Sequence, residues 1–173
     1  ALMTGGADIS EDGLYRYRLW RQIGSGQRIV VFIMLNPSTA DALTDDPTIR
    51  KCVGFAQRWG FDRVEVVNLF AWRATNPKVL PTVSSPIGPE NDRTLSIICH
   101  AAEQVVVAWG SDKFAVHRGR EVVRWLTGAG TQLYCLRKSK AGHPWHPLYM
   151  PYASMPVTYA AADEPRDLGT VPA

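Results

Sequence analysis

At 173 residues and 46% hydrophobic composition, the chain is long enough for one globular domain with a sizeable core and too short for two independent ones. A formal charge of +3 permits a polyanionic partner without requiring one, and Cys52, Cys99 and Cys135 are spaced neither as a disulfide framework nor as metal ligands. No apolar stretch has the length of a bilayer span and the opening residues lack the pattern of a secretory signal, so the expectation is a soluble, cytoplasmic monomer with free thiols, no membrane contact, no metal and no cofactor.

Residues 1–13 read as an N-terminal segment ahead of the domain. "LYRYRLWRQ" (14–22) alternates apolar and basic side chains with period two, and "GSG" separates it from the apolar run 28–35, which predicts a hairpin with a half-exposed first strand. That run stops on Asn36 and Pro37. "DDPTIRKCVGFAQRWG" then sets Asp46 before Pro47 at a helix start, with apolar Ile49, Val53 and Phe55 on one face and Gly60 at the end. "RVEVVNLFAW" (63–72) is a second buried strand, followed by a loop, "RATNPKVLPTVSSPIGP", too rich in proline for regular structure. A helix (90–103), a strand (104–110), a helix (114–130) and a strand (131–136) follow. The alternation predicts an α/β fold of three layers, α/β/α, with a mostly parallel four-stranded sheet and the hairpin as an antiparallel addition. The domain is expected over 14–150, with an irregular tail over 151–173.

In open parallel sheets ligands bind beyond the carboxyl ends of the strands, so the residues just past each strand carry the interest. Here these are Asn36-Pro37-Ser38-Thr39, then Asn68 and Arg73, then Trp109-Gly110-Ser111, and finally "KAGHPWHPLY" with His143 and His146. Two carboxamides, one or two imidazoles and several hydroxyls on one rim suit a planar polar ring and a held water.

"FIMLNPSTAD", "DDPTIRKC", "VVNLFAWRAT", "GPENDRTL", "VVAWG" and "HPLY" together resemble the domain of unknown function 1643 family over roughly residues 14–150. A more distant resemblance is to the uracil-DNA glycosylase superfamily. It implies a glycosylase-like fold and a hydrolase that takes a uracil-type or modified base from DNA, the expected partner. By that resemblance Asn36 positions the attacking water, and Asn68 reads the edge of the flipped base with Pro37 and Trp109 around it. His146 donates a hydrogen bond to the base and Leu148 is the wedge that enters the stack. Ser38, Thr39, Arg73 and Ser111 become candidates for phosphate and DNA contacts.

Plainer readings stand beside these. Asn36 before Pro37 also suits turn chemistry, His146 before Pro147 suits a loop cap, and Asp46 suits a helix cap. Asp92 and Arg93 suit a helix face. The histidine segment lacks the serine that contacts phosphate in the glycosylases, and Trp145 precedes His146. Asp41, Asp45 and Asp46 form an acidic cluster that would repel phosphate unless it binds a cation or points elsewhere. These departures keep two alternatives open: an enzyme acting on a free nucleoside or nucleotide, using Asp41 and Asp46 with a cation, and a catalytically silent binder of modified nucleic acid.

Overall fold

Residues 3–166 are described by a computed structural model. Seven strands form one sheet: β1 (Thr4–Ile9), β2 (Arg16–Gln22), β3 (Ile29–Met34), β4 (Arg63–Asn68), β5 (Gln104–Val107), β6 (Leu133–Cys135) and β7 (Val157–Tyr159). Their order is β1-β2-β4-β3-β5-β6-β7. The central strands β4, β3, β5 and β6 are parallel, while β1, β2 and β7 add antiparallel edges.

The unbroken apolar composition of β3 follows from its burial on both faces. Val30, Phe32 and Met34 pack with Ile49, Cys52, Val53 and Phe55 of α1 (Pro47–Arg58). Val31 and Ile33 instead pack with Leu95 and Cys99 of α2 (Asn91–Ala101) and with Val122, Val123 and Leu126 of α3 (Lys113–Gly128). Helices therefore cover both faces of the sheet. Asp46 caps α1, its Oδ1 accepting from Ile49 N at 2.9 Å, as the Asp-Pro pair predicts.

The expected hairpin between 14–22 and 28–35 does not form. β2 pairs antiparallel with β4, Leu19 opposite Val66, because both sides of β3 are occupied by β4 and β5. "GSG" is a wrap rather than a hairpin turn. The backbone amides of Ile23 and Gly24 donate to Asp62 O, and Gly24 and Gly26 lie too close to the Asp62 side chain for a β-carbon. The hairpin partner of β2 is β1, so residues placed ahead of the domain belong to its sheet.

The segment expected to be an irregular tail also has structure. β7 pairs with β6, and Tyr159 donates its hydroxyl to Gly142 O at 2.8 Å. Tyr152 seats its ring over Gly54 of α1, with the Lys51 ammonium and the Arg58 guanidinium each 4.0 Å from the ring centre. A three-residue strand flanked by proline gives too short a pattern to read. The part of the tail over 167–173 lies outside the described residues. The proline-rich loop after β4 likewise contains a 3₁₀ helix, Pro77–Thr82, started by Asn76.

All three cysteines are free and buried. Burial raises the thiol pKa values, to about 12 for Cys99 and about 11 for Cys135, so these groups stay protonated at neutral pH. No helix among the described residues is long and apolar enough to cross a membrane.

Candidate functional site at the strand ends

A cavity of about 450 Å³ opens beyond the carboxyl ends of β3 and β4. Asn36, Asn68 and His146, 110 residues apart at the extremes, all line it, together with Trp109. The α1 N-terminus supplies Asp46 and Thr48, and the loop after β4 supplies Ala74, Thr75 and Pro77.

Asn68 ends β4 and is only 1% exposed. Neither its Oδ1 nor its Nδ2 has a hydrogen-bond partner among the described residues. An unmade bond at a buried polar group costs about 1–3 kcal/mol. Such a group on a cavity wall is suited to a ligand or ordered water that completes it. The backbone around it is held firmly. Asn91 of α2 donates Nδ2 to Asn68 O at 2.9 Å and to Leu69 O at 3.0 Å. Arg118 of α3 donates Nε to Leu69 O at 3.2 Å and pairs with Asp92. The "GPENDRTL" stretch thus does more than cover a helix face: Asn91 and Asp92 fix the strand end and leave the Asn68 amide open.

Asn36 commits its nitrogen to the backbone, donating to Pro37 O at 3.1 Å and Ala74 O at 2.9 Å. Its oxygen is left as the acceptor for whatever enters the cavity. The turn reading is met by the amide nitrogen, and the side chain as a whole lines the cavity.

His146 caps the 3₁₀ turn Pro147–Tyr149, its Nδ1 accepting from Leu148 N at 3.2 Å. That bond requires an unprotonated Nδ1, so the neutral ring carries its proton on Nε2 and offers a donor. Burial lowers the pKa of His146, and the charge of Asp46 partly opposes this. The segment is anchored to the end of β5: Gly110 donates its backbone amide to Pro144 O at 2.8 Å with φ +81, a left-handed conformation suited to glycine. Trp109 is buried, its indole lying against Gly119 of α3.

Arg16 is the residue that sequence reasoning missed. Strict alternation along β2 would put it with Arg18 and Trp20, opposite Leu19 and Arg21. The register between β1 and β2 shifts, with Asp8 facing Arg18 but Ile9 facing Arg16, so Tyr17 is an extra residue. This bulge turns Arg16 toward α1, into the cavity and down to 2% exposure. The shift from basic-outward alternation has no signature in the sequence.

Other expected site residues separate. Ser38, Thr39 and Leu148 line the cavity. Pro37 is buried and meets the site through its carbonyl. Arg73 lies outside the lining and donates to Gly13 O at 3.4 Å. Ser111 lines an adjoining hollow of about 370 Å³ that shares His146 and includes His143 and Tyr149. The acidic cluster is dispersed into separate tasks. Asp41 accepts from Leu43 N and Thr44 N, Asp45 pairs with Arg21 at 2.8 Å, and Asp46 caps α1 while facing the cavity. Among the described residues no three His, Cys, Asp or Glu side chains gather as a metal site.

The fold and site define an α/β domain with a largely apolar cavity at its strand ends, into which a few polar side chains are set. Residues 16–148 match the family described as Protein of unknown function (DUF1643), and the chain belongs to that family. No curated protein and no solved structure matches it.

Proposed function

We propose that the protein is a glycosylase-like hydrolase that removes a uracil-type or modified base from DNA by directing water at the N-glycosidic bond. The observation that carries this reading is the convergence of Asn36, Asn68 and His146 on one cavity, with the Asn68 amide open in both directions. A planar base edge with one donor and one acceptor would complete Asn68. Parallel strands covered by helices on both faces agree with the glycosylase-like build.

Cleavage leaves negative charge on the departing base and positive charge on the sugar. A neutral histidine, its pKa lowered by burial, donates from Nε2 and stabilises the base as it leaves. The Asn36 oxygen accepts from a water and orients it, although an amide is too weak a base to deprotonate it fully. Leu148, 46% exposed at the cavity edge, is the wedge in this reading, filling the gap left by a flipped base. Ser38 and Thr39 offer hydroxyls to the backbone.

The test is incubation with oligonucleotides carrying uracil, hydroxymethyluracil, hypoxanthine or mismatched thymine, followed by alkali. Strand scission that disappears in Asn36→Ala and His146→Ala is the expected result. Intact strands across the panel overturn the reading.

A second reading, hydrolysis of a free nucleoside or nucleotide, is favoured by the placement of Arg73 and Ser111 outside the cavity. Base release from free nucleosides or nucleotides with intact oligonucleotides would select it.

A further inference from the structure

We infer that Arg16 forms an oxyanion subsite inside the cavity, so that the ligand carries a phosphate or a carboxylate as well as a nucleobase. The inference depends on the reading of a nucleobase pocket for its choice of probes, and on Arg16 itself for its substance.

A guanidinium carries five N–H donors and stays charged at neutral pH. Arg16 makes one side-chain hydrogen bond among the described residues, from Nη1 to Ala40 O at 3.1 Å. Its Nε is buried without a partner. Buried arginines of this chain are otherwise paired: Arg21 with Asp45, and Arg118 with Asp92 and Glu121. Among the described residues Arg16 has no such carboxylate. Asp46 is the acidic group whose charge acts on it, and that side chain is engaged in capping α1. Arg73 and Arg21 act on it with the opposite sign. Even with its pKa lowered by burial to about 10, Arg16 is protonated at pH 7. A buried, under-neutralised cation on a cavity wall matches an oxyanion, which can accept two parallel bonds from Nε and a terminal nitrogen. Thr48, at the start of α1, lines the same cavity and adds a hydroxyl.

The bulge at Tyr17 is the second, independent sign. It breaks the sheet pattern, and its effect is to carry this one charge from the outer face into the cavity.

The experiment measures binding, by calorimetry and by thermal shift, of uridine, uridine 5′-monophosphate, uracil-6-carboxylate, inorganic phosphate and a short single-stranded oligonucleotide containing deoxyuridine. Wild type is compared with Arg16→Gln and Arg16→Lys. At least one oxyanion-bearing ligand is expected to bind ten-fold or more tightly than uridine, with that advantage lost in Arg16→Gln and partly kept in Arg16→Lys. Preference for the monophosphate, the carboxylate or the oligonucleotide identifies the source of the oxyanion. Equal affinity for charged and neutral ligands, no binding of any anion, or an advantage unchanged in Arg16→Gln overturns the subsite. Should Arg16→Gln fail to fold, the wild-type comparison of uridine with its charged counterparts decides, read with Arg16→Lys. Phosphate binding through Arg16 without any nucleobase preference would keep the subsite and remove the nucleobase reading, whereas uridine binding without anion preference would do the reverse.

Discussion

Asn36 donates its amide to the Ala74 carbonyl at 2.9 Å, so the residue just past β3 fastens the loop that leaves β4. Removing that side chain in Asn36→Ala is expected to lower turnover of a uracil-containing oligonucleotide by about 100-fold, the scale reached when a reactant loses its positioning. Loss of the two backbone bonds should cost about 1 kcal/mol of stability each. Asn36→Asp is expected to be less stable than Asn36→Ala, because a carboxylate would face the Pro37 and Ala74 carbonyls with no hydrogen to donate. Single-turnover kinetics and chemical denaturation of both variants check this.

Asn68 sets stability against function. Replacing it with leucine, close in size, removes two unsatisfied polar atoms and is expected to stabilise the fold by about 1–3 kcal/mol in urea denaturation. The same variant should lose nucleobase binding altogether. A destabilised Asn68→Leu would mean that the amide is satisfied within the folded protein.

Both His143 and His146 have pKa values lowered by burial. The unfolded chain, with ordinary imidazoles near 6.5, then binds more protons than the folded one as the solution is acidified. Stability should therefore be fully present above about pH 6.5, fall as pH drops below that value, and level off once the folded-state values are passed. Base excision should decline on the acid side at a pH below 6.5, as His146 becomes charged and its Nδ1 bond to Leu148 is broken. Denaturation midpoints between pH 4 and 8 for wild type and His146→Gln measure the first effect, and a pH–rate profile the second.

Gly119 of α3 gives the Trp109 indole its space: a β-carbon there would stand 2.9–3.1 Å from three ring atoms. Gly119→Ala is expected to cost about 1–3 kcal/mol through overpacking. It should also weaken nucleobase binding by displacing the indole on the cavity wall. Tryptophan fluorescence with a uridine titration reads the two effects together.

The parallel centre of the sheet was legible because its strands are apolar throughout and alternate with helices whose starts are marked by side chains such as Asp46. The shared position of Asn36, Asn68 and His146 was legible for a related reason, since each follows or ends a strand whose direction the alternation sets. Pairing at the sheet edges was not. β2 and β3 are neighbours in the chain, and only the occupation of β3 on both sides sends β2 to β4. The supporting contacts of Asn91 and Arg118 were hidden because each reaches a backbone carbonyl, which has no sequence identity. Sequence proximity did not reveal that Arg73 and Ser111 lie outside the lining that Ala74 and Trp109 share.

The extra residue at Tyr17 has a genetic implication. A single-codon deletion of Tyr17 would restore uninterrupted pleating and leave Arg16 directly before outward-facing Arg18, still on the face of Leu19 and the hollow. Relatives whose strand is one residue shorter would then keep the cation with no bulge, so the arginine is traced across the family by the face it occupies and not by its count from Leu19.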